Sequence, residues 1–267
     1  MRQITGETKL FGILADPIHH VKTPQRMNEH FARANYDGVL VPFHATPDNL
    51  ATVLDGLRKL ENLVGLIVTV PHKTAVLELC DDASDTTRKI GAANVVRREP
   101  NGRLTAHMLD GEGFVRGLQS GGHDIKGKSA YMAGAGGAAN AIAFGLVQYG
   151  VSRLTIANRT VAKAEDLKAR ILDIHPQAHI DIGTADPSGH DLVVNATSLG
   201  LKEGDALPMD VNKLDAGQLV CEVIMQPEET ALLLAARKRG CAVHYGAPML
   251  ASQIELMAEF LGVSNSK

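Results

Sequence analysis

The chain has no tryptophan, only ten other aromatic residues and only three cysteines in 267 residues. Cys80, Cys221 and Cys241 are odd in number and show no CxxC spacing. That excludes a disulfide framework and a cysteine-built zinc site, and it fits a reducing compartment. Charge of one sign is also lacking: 27 Lys and Arg stand against 30 Asp and Glu, a formal net charge of -3. No basic field is present to attract nucleic acid or an anionic membrane. No apolar run approaches the roughly 18–20 residues of a membrane span. Met1–Leu10 shows no basic segment followed by an apolar stretch, so no signal peptide is expected. The 11 histidines include no HxxH or HExxH spacing, so no metal is expected. Internal repeats and low-complexity segments are missing. The expectation is a cytoplasmic globular protein, monomeric or homodimeric.

Glycine is abundant, with 26 residues gathered at candidate turns. Apolar runs between these turns read as strands at Leu10–Leu14, Val39–Ala45, Leu63–Val70 and Ala93–Arg97. Further strands are expected at Ser129–Ala133, Arg153–Ala157, Ile180–Ile182, Asp191–Asn195, Leu219–Val223 and Ala242–Tyr245. Helices are expected between them, among them Gln25–Ala34 capped by Thr23, one entered through Thr46-Pro47, Val161–Ile174, Glu229–Arg239 and Met249–Leu261. Alternation of strands with helices implies α/β architecture with parallel sheets. The pattern falls into two sets. The expected division is a first α/β domain, 1–109 with 246–267, and a second, Rossmann-type domain, 110–245.

The second set opens with a strand and then Gly134-Ala135-Gly136-Gly137-Ala138-Ala139 entering a helix. A dinucleotide site needs this order: a tight turn, backbone able to approach a diphosphate, and a helix N-terminus aimed at its charge. The following strand ends in Asn158-Arg159-Thr160 rather than in the Asp or Glu of NAD-preferring sites. An acid there repels a 2′-phosphate, whereas Arg159, with Lys163 one turn later, can hold one. NADP is expected, with NAD also possible because Asn158 can bond a ribose hydroxyl.

Lys73 follows a buried strand and a Val70-Pro71-His72 turn, at the edge where open α/β sheets bind ligands. Asp110 lies at the proposed domain junction. A lysine and a carboxylate in a cleft form a proton-transfer pair; by spacing alone they read equally as surface charges. His72 reads as a loop residue, the methionines Met225 and Met257 as packing, and the cysteines as structural. Glu222 ends a strand and reads either as a polar contact in the site or as a locally paired acid.

These motifs together resemble the shikimate and quinate dehydrogenase family. The resemblance runs through Asp16–Pro24, Val68–Lys73, Gly91-Ala92-Ala93-Asn94, Asp110-Gly111, Gly134–Ala139, Asn158-Arg159-Thr160, Asn195–Gly200 and Gly246–Leu250 with Gln253. It implies an N-terminal substrate-binding and catalytic domain beside a C-terminal NADP-binding domain. It also implies reversible hydride transfer between NADP(H) and a ring hydroxyl or ketone. Carried over, Lys73 mediates proton transfer and Asp110 orients the substrate hydroxyl. Thr69, Asn94 and Gln253 bond ring hydroxyls. Asn158, Arg159, Thr160 and Lys163 hold the adenosine phosphate, and Thr197 and Met249 flank the dinucleotide.

The departures are confined to the substrate side. Two serines of the family's first motif are here Val21 and Thr23. An asparagine two before Thr69 is Ile67, Met108-Leu109 replace Asn-Thr before the aspartate, and Met225 stands for a tyrosine. Lys22, His19 and His20 could offer a new anion contact, or form a solvated turn. The expected substrate is a cyclic hydroxy acid or polyol other than shikimate. Shikimate or quinate itself, or a non-catalytic NADP-binding sensor that has lost the reaction, are the competing readings; the presence of both Lys73 and Asp110 argues against the sensor.

Overall fold

The structure, a computed structural model, describes residues 3–19 and 21–263. It divides into two compact units, Met1–Leu109 with Gln253–Lys267, and Asp110–Ser252. In the first unit, strands β1 (Lys9–Ala15), β2 (Gly38–His44), β3 (Leu63–Val68), β4 (Asp82–Ala83), β5 (Val95–Arg98) and β6 (Leu104–His107) alternate with helices α1 (Thr23–Arg33), α2 (Leu50–Leu57), α3 (Lys73–Leu79) and α4 (Asp85–Ile90). The second unit begins with α5 (Asp110–Ser120). There follow β7 (Ser129–Ala133), α6 (Gly137–Gln148), β8 (Arg153–Ala157), α7 (Val161–Ile174), β9 (Ile180–Gly183), β10 (Leu192–Asn195), β11 (Leu219–Glu222), α8 (Ala231–Lys238) and β12 (Ala242–His244). The last helix, α9 (Ala247–Phe260), contains the division between the units.

The first sheet runs β2-β1-β3-β5-β6-β4. Its β2, β1 and β3 are parallel, as expected from the alternation, but β5 pairs antiparallel with both β3 and β6. The expectation of a wholly parallel sheet is therefore wrong here. The cause is local. Asn101-Gly102, with Gly102 at φ 81, turns the chain directly back as a hairpin, and the Glu99 amide donates to the Arg103 carbonyl at 2.8 Å. One core cluster joins Phe11, Ile13, Met27, Phe31 and Ile67 to Ile254, Leu256, Met257 and Leu261. The residues of α9, with Leu261 just beyond it, cover one face of the sheet, while Leu50, Leu54 and Val76 belong to a second cluster with Leu66 and Val68.

The second sheet is parallel throughout, in the order β12-β11-β10-β7-β8-β9. Numbered from β7, this is the 3-2-1-4-5-6 order of a Rossmann fold. Its strand order reverses between β7 and β10, which is where such sheets open a crevice for ligands. The strands are short, and the central four, β7, β8, β10 and β11, are largely buried, as parallel strands covered on both faces must be. Helix α6 is apolar on nearly all sides and buries Ala139, Ala141, Ile142, Ala143, Phe144 and Leu146.

Two expected helix starts differ. Lys22, not Thr23, occupies the cap of α1, and Thr23-Pro24 form its first turn. Thr46 makes no cap bond; its hydroxyl accepts from the Asn49 side chain at 3.1 Å, and a 3-10 turn at Pro47–Asn49 precedes α2. In both places a proline lies in the opening turn and no side chain caps it, because its fixed φ suits the first turn and its missing N–H needs no partner.

On β12, His244 is buried beside His123, with ring centroids 5.7 Å apart. Burial, reinforced by the His123 charge, pushes its pKa down to about 4. A depressed histidine adds stability above its ordinary pKa near 6.5 and loses it as the pH falls toward 4. The full effect is at most about 3 kcal/mol. His244→Phe is therefore expected to gain stability relative to the unaltered chain as the pH falls from 7.5 to about 4.5. Thermal melts across that range check it; a stability difference independent of pH contradicts it.

Candidate active site

In the first unit, the expected residues collect at the carboxyl ends of β1 and β3. Thr69 follows β3, half-buried, and its amide donates to the Leu14 carbonyl at 3.1 Å. His72 lies in the turn before α3, as expected, but it is buried at the cap of that helix, and its Nε2 lies 2.8 Å from the Ala45 carbonyl. That bond ties the turn after β3 to the end of β2 and fixes the start of α3. Lys73 is the first residue of that helix and is half-buried; its carbonyl accepts from the Ala93 amide at 2.8 Å. The turn before β5 is thereby held under the lysine.

Asn94 is 1% exposed and bonds in three directions. Its carbonyl accepts from Val68 at 2.8 Å, its amide donates to His107 at 3.0 Å, and its Oδ1 accepts from the Leu109 amide at 2.9 Å. The side-chain oxygen expected to face a substrate hydroxyl is thus engaged in fixing the backbone just ahead of Asp110. Gln253 is buried in α9.

Val21, Ile67 and Leu109 enter the same apolar cluster, Ile67 at 3% exposure and Val21 half-buried against it beside Ile18. Three of the positions where the resemblance anticipates polar groups have therefore become one continuous apolar surface. Thr23 is half-buried in the first turn of α1, and Lys22 and His19 are exposed. His20 lies outside the described residues.

The second unit holds the glycine turn at its switch point. Gly134 takes φ 120, and a Cβ there would lie 2.7 Å from the Ala196 carbonyl, so only glycine fits. At Gly136 and Gly137 a Cβ would meet nothing within 4 Å. The turn is thus closed on the side of the loop after β10 and open above its backbone. That combination fits a diphosphate approaching the N-terminus of α6. Ala135 is buried and Ala138 half-buried. Beyond β8, the Asn158 amide donates to the Thr160 carbonyl at 2.8 Å, and Arg159, Thr160 and Lys163 are exposed around the start of α7. Thr197 donates to Asn195 Oδ1 through both its amide, at 3.0 Å, and its hydroxyl, at 2.7 Å. Met249 is half-buried near Gly117, Met225 is exposed at 42%, and Met257 is core.

Asp110 begins α5 and is 3% exposed. Its position depends on Gly111 and Gly145, where α5 and α6 cross at backbone contact. A Cβ on Gly111 would fall on the Ala141 carbonyl, and one on Gly145 would lie 2.7 Å from the Gly111 carbonyl carbon.

Glu222 proves to be paired with hydrogen-bond donors, only two of them local. It is fully buried at the end of β11, where burial pushes its pKa up while donors from Asn195, Val223, Ile224 and Thr230 oppose that rise. The cysteines are free thiols with pKa values raised by burial, Cys80 to about 12, so none is an activated nucleophile.

Comparison with known proteins adds the decisive finding. Residues 13–96 match the shikimate dehydrogenase substrate-binding domain, and residues 118–198 match the shikimate/quinate 5-dehydrogenase model. A shikimate dehydrogenase (NADP(+)) of Rubrobacter xylanophilus is 38% identical over 98% of this chain and 93% of its own. The chain belongs to the shikimate dehydrogenase family. Among solved structures, the shikimate 5-dehydrogenase of Listeria monocytogenes, in complex with shikimate and NAD, superposes with TM-score 0.86 at 32% identity over 98% of this chain and 99% of that one. The 5-ketofructose reductase of a Gluconobacter strain matches equally well, with TM-score 0.87 at 32% identity over 97% and 94% of the two chains. This architecture therefore carries more than one substrate. Among the described residues, no helix is long and apolar enough to cross a membrane.

The crossing of α5 and α6 yields a test. Gly111→Ala forces the helices apart and is expected to cost about 1–3 kcal/mol, as overpacking does. A melt followed by circular dichroism checks it; an unchanged Tm contradicts the close crossing.

Proposed function

We propose that this enzyme transfers hydride reversibly between NADP(H) and a ring hydroxyl or ketone, on a cyclic hydroxy acid or polyol other than shikimate. The family supplies the reaction class, an oxidoreductase acting on CH–OH groups with a nicotinamide dinucleotide. The observation that carries the catalytic reading is the retention of Lys73 and Asp110, each as the first residue of a helix whose start is fixed by buried contacts.

In this reading NADP(H), held over the glycine turn, supplies or accepts the hydride. Lys73 takes the proton from the reacting oxygen during oxidation and returns it during reduction. Asp110 orients the substrate hydroxyl. Arg159 and Lys163 hold the 2′-phosphate with two cations, Asn158 and Thr160 complete that contact, and Thr197 and Met249 flank the dinucleotide. Thr23, Thr69, Asn94 and Gln253 supply the remaining polar contacts to the substrate. Free cysteines support a cytoplasmic setting.

The apolar cluster of Val21, Ile67 and Leu109 supports the altered substrate. A carboxylate brought against valine loses a charge-assisted hydrogen bond, about 1.5–3 kcal/mol, or roughly 10–150-fold in affinity. A ring hydroxyl facing Ile67 loses less, and the two losses need not add. The likeness to a 5-ketofructose reductase favours a polyol-type ketone within the same class.

Lys73→Ala is expected to lower turnover about 10²–10⁴-fold, as loss of a general acid–base group does. Steady-state kinetics check it, and an unchanged turnover number removes Lys73 from the mechanism. The double change Val21→Ser with Ile67→Asn is expected to raise kcat/KM for shikimate about tenfold. Because an asparagine then replaces a buried isoleucine in an apolar cluster, it should also lower Tm. Kinetics with saturating NADP+ decide it: no gain on shikimate contradicts the assignment of these two positions to substrate.

A further inference from the structure

The loops at the carboxyl edge of the second sheet meet on one buried carboxylate. Asn195 Nδ2 lies 3.0 Å from both Glu222 oxygens. The amides of Val223 and Ile224 donate to Oε1 at 3.0 and 3.2 Å, and the Thr230 hydroxyl donates to Oε2 at 3.0 Å. Every one of these partners is a donor, so the pocket is built for an acceptor with two oxygens. Asn195 passes the constraint on. Its Oδ1 accepts from the Thr197 amide and hydroxyl, and its Nδ2 also reaches the Leu199 carbonyl at 3.0 Å. The adjoining Ala196 carbonyl is the atom that closes Gly134 against any side chain. Glu222, at the end of β11, thus reaches through Asn195 to the glycine turn at the switch point between β7 and β10.

We propose that Glu222 is a positioning residue for the dinucleotide: its carboxylate fixes the Asn195–Gly200 loop against the glycine turn and so sets the affinity for NADP(H). This rests on the dinucleotide site proposed above. Glu222→Gln tests it without changing volume. Because Asn195 Nδ2 contacts both oxygens, a glutamine in either orientation turns an N–H toward it. Rotating the Asn195 amide to compensate would turn its N–H groups toward Thr197, so either response disturbs the loop.

The experiment is titration of NADPH into the intact protein, followed by nicotinamide fluorescence, which the absence of tryptophan leaves with little background. Glu222→Gln is expected to weaken NADPH about tenfold, the equivalent of one lost hydrogen bond. KM for the second substrate should stay within about twofold, the split that separates positioning from a general loss of the active site. Glu222→Asp, which keeps the charge, should bind more tightly than Glu222→Gln. Should Glu222→Gln not fold, Asn195→Asp sets two carboxylates against each other and should weaken NADPH likewise. A folded Glu222→Gln, or in its place a folded Asn195→Asp, that binds NADPH as tightly as the unaltered chain overturns the proposal. So does a fall in Tm with affinity unchanged, which marks a purely structural acid. Arg159→Ala separates this from the underlying reading. If it too leaves NADPH affinity unchanged, the phosphate contact fails; if the unaltered chain binds no NADPH, the dinucleotide reading fails and this inference with it.

Discussion

A sheet with parallel strands ends in loops, and the backbone of those loops lies directly beneath any ligand the sheet holds. Their N–H and C=O groups must be satisfied without water, since each one left unpaired costs about 1–3 kcal/mol. In each unit a buried asparagine meets this requirement. Asn94 links the ends of β3, β5 and β6 and takes the Leu109 amide. Asn195 closes its own loop and rests on Glu222. An asparagine side chain suits the task because it carries a donor and an acceptor on one short arm. Asp110 and Thr197 stand on or beside backbone that these two side chains hold.

This arrangement would let the substrate change while the reaction is kept, as proposed. Lys73 and Asp110 are placed by the Ala93–Lys73 backbone hydrogen bond, the bond from the His72 side chain to the Ala45 carbonyl and the backbone crossing at Gly111. None of these passes through Val21 or Ile67. Those side chains belong to the apolar cluster beneath, where exchanging a polar group for a hydrocarbon strengthens the core. Specificity is thus free to move while the catalytic frame stays still. The likeness of this chain to both a shikimate dehydrogenase and a 5-ketofructose reductase fits that separation.

Much of this was legible in the sequence. The Rossmann unit was the clearest part, because β7, β8, α7 and the glycine turn each carry a strong local pattern and consecutive elements lie side by side. The first sheet was harder. Asn101-Gly102 is a hairpin signal, but the alternation of strands and helices around it suggested a parallel sheet. Thr23 and Thr46 have the right chemistry for caps, yet proline starts both helices unaided. His72 is part of a turn, as its sequence neighbours indicate, but nothing local reveals that Ala45, 27 residues earlier, supplies its partner. Glu222 posed the same problem: its donors come from β10, from the chain after β11 and from the cap of α8, and only folding gathers them.

The proposed enzyme keeps the family's reaction while losing the carboxylate anchor. The most direct measurement is NADP+ reduction at 340 nm, with saturating NADP+, across shikimate, quinate and uncharged cyclic polyols. At least one compound other than shikimate is expected to be oxidised with the higher kcat/KM, and shikimate to show a high Michaelis constant. A micromolar Michaelis constant for shikimate, with no better substrate in the panel, would contradict this reading.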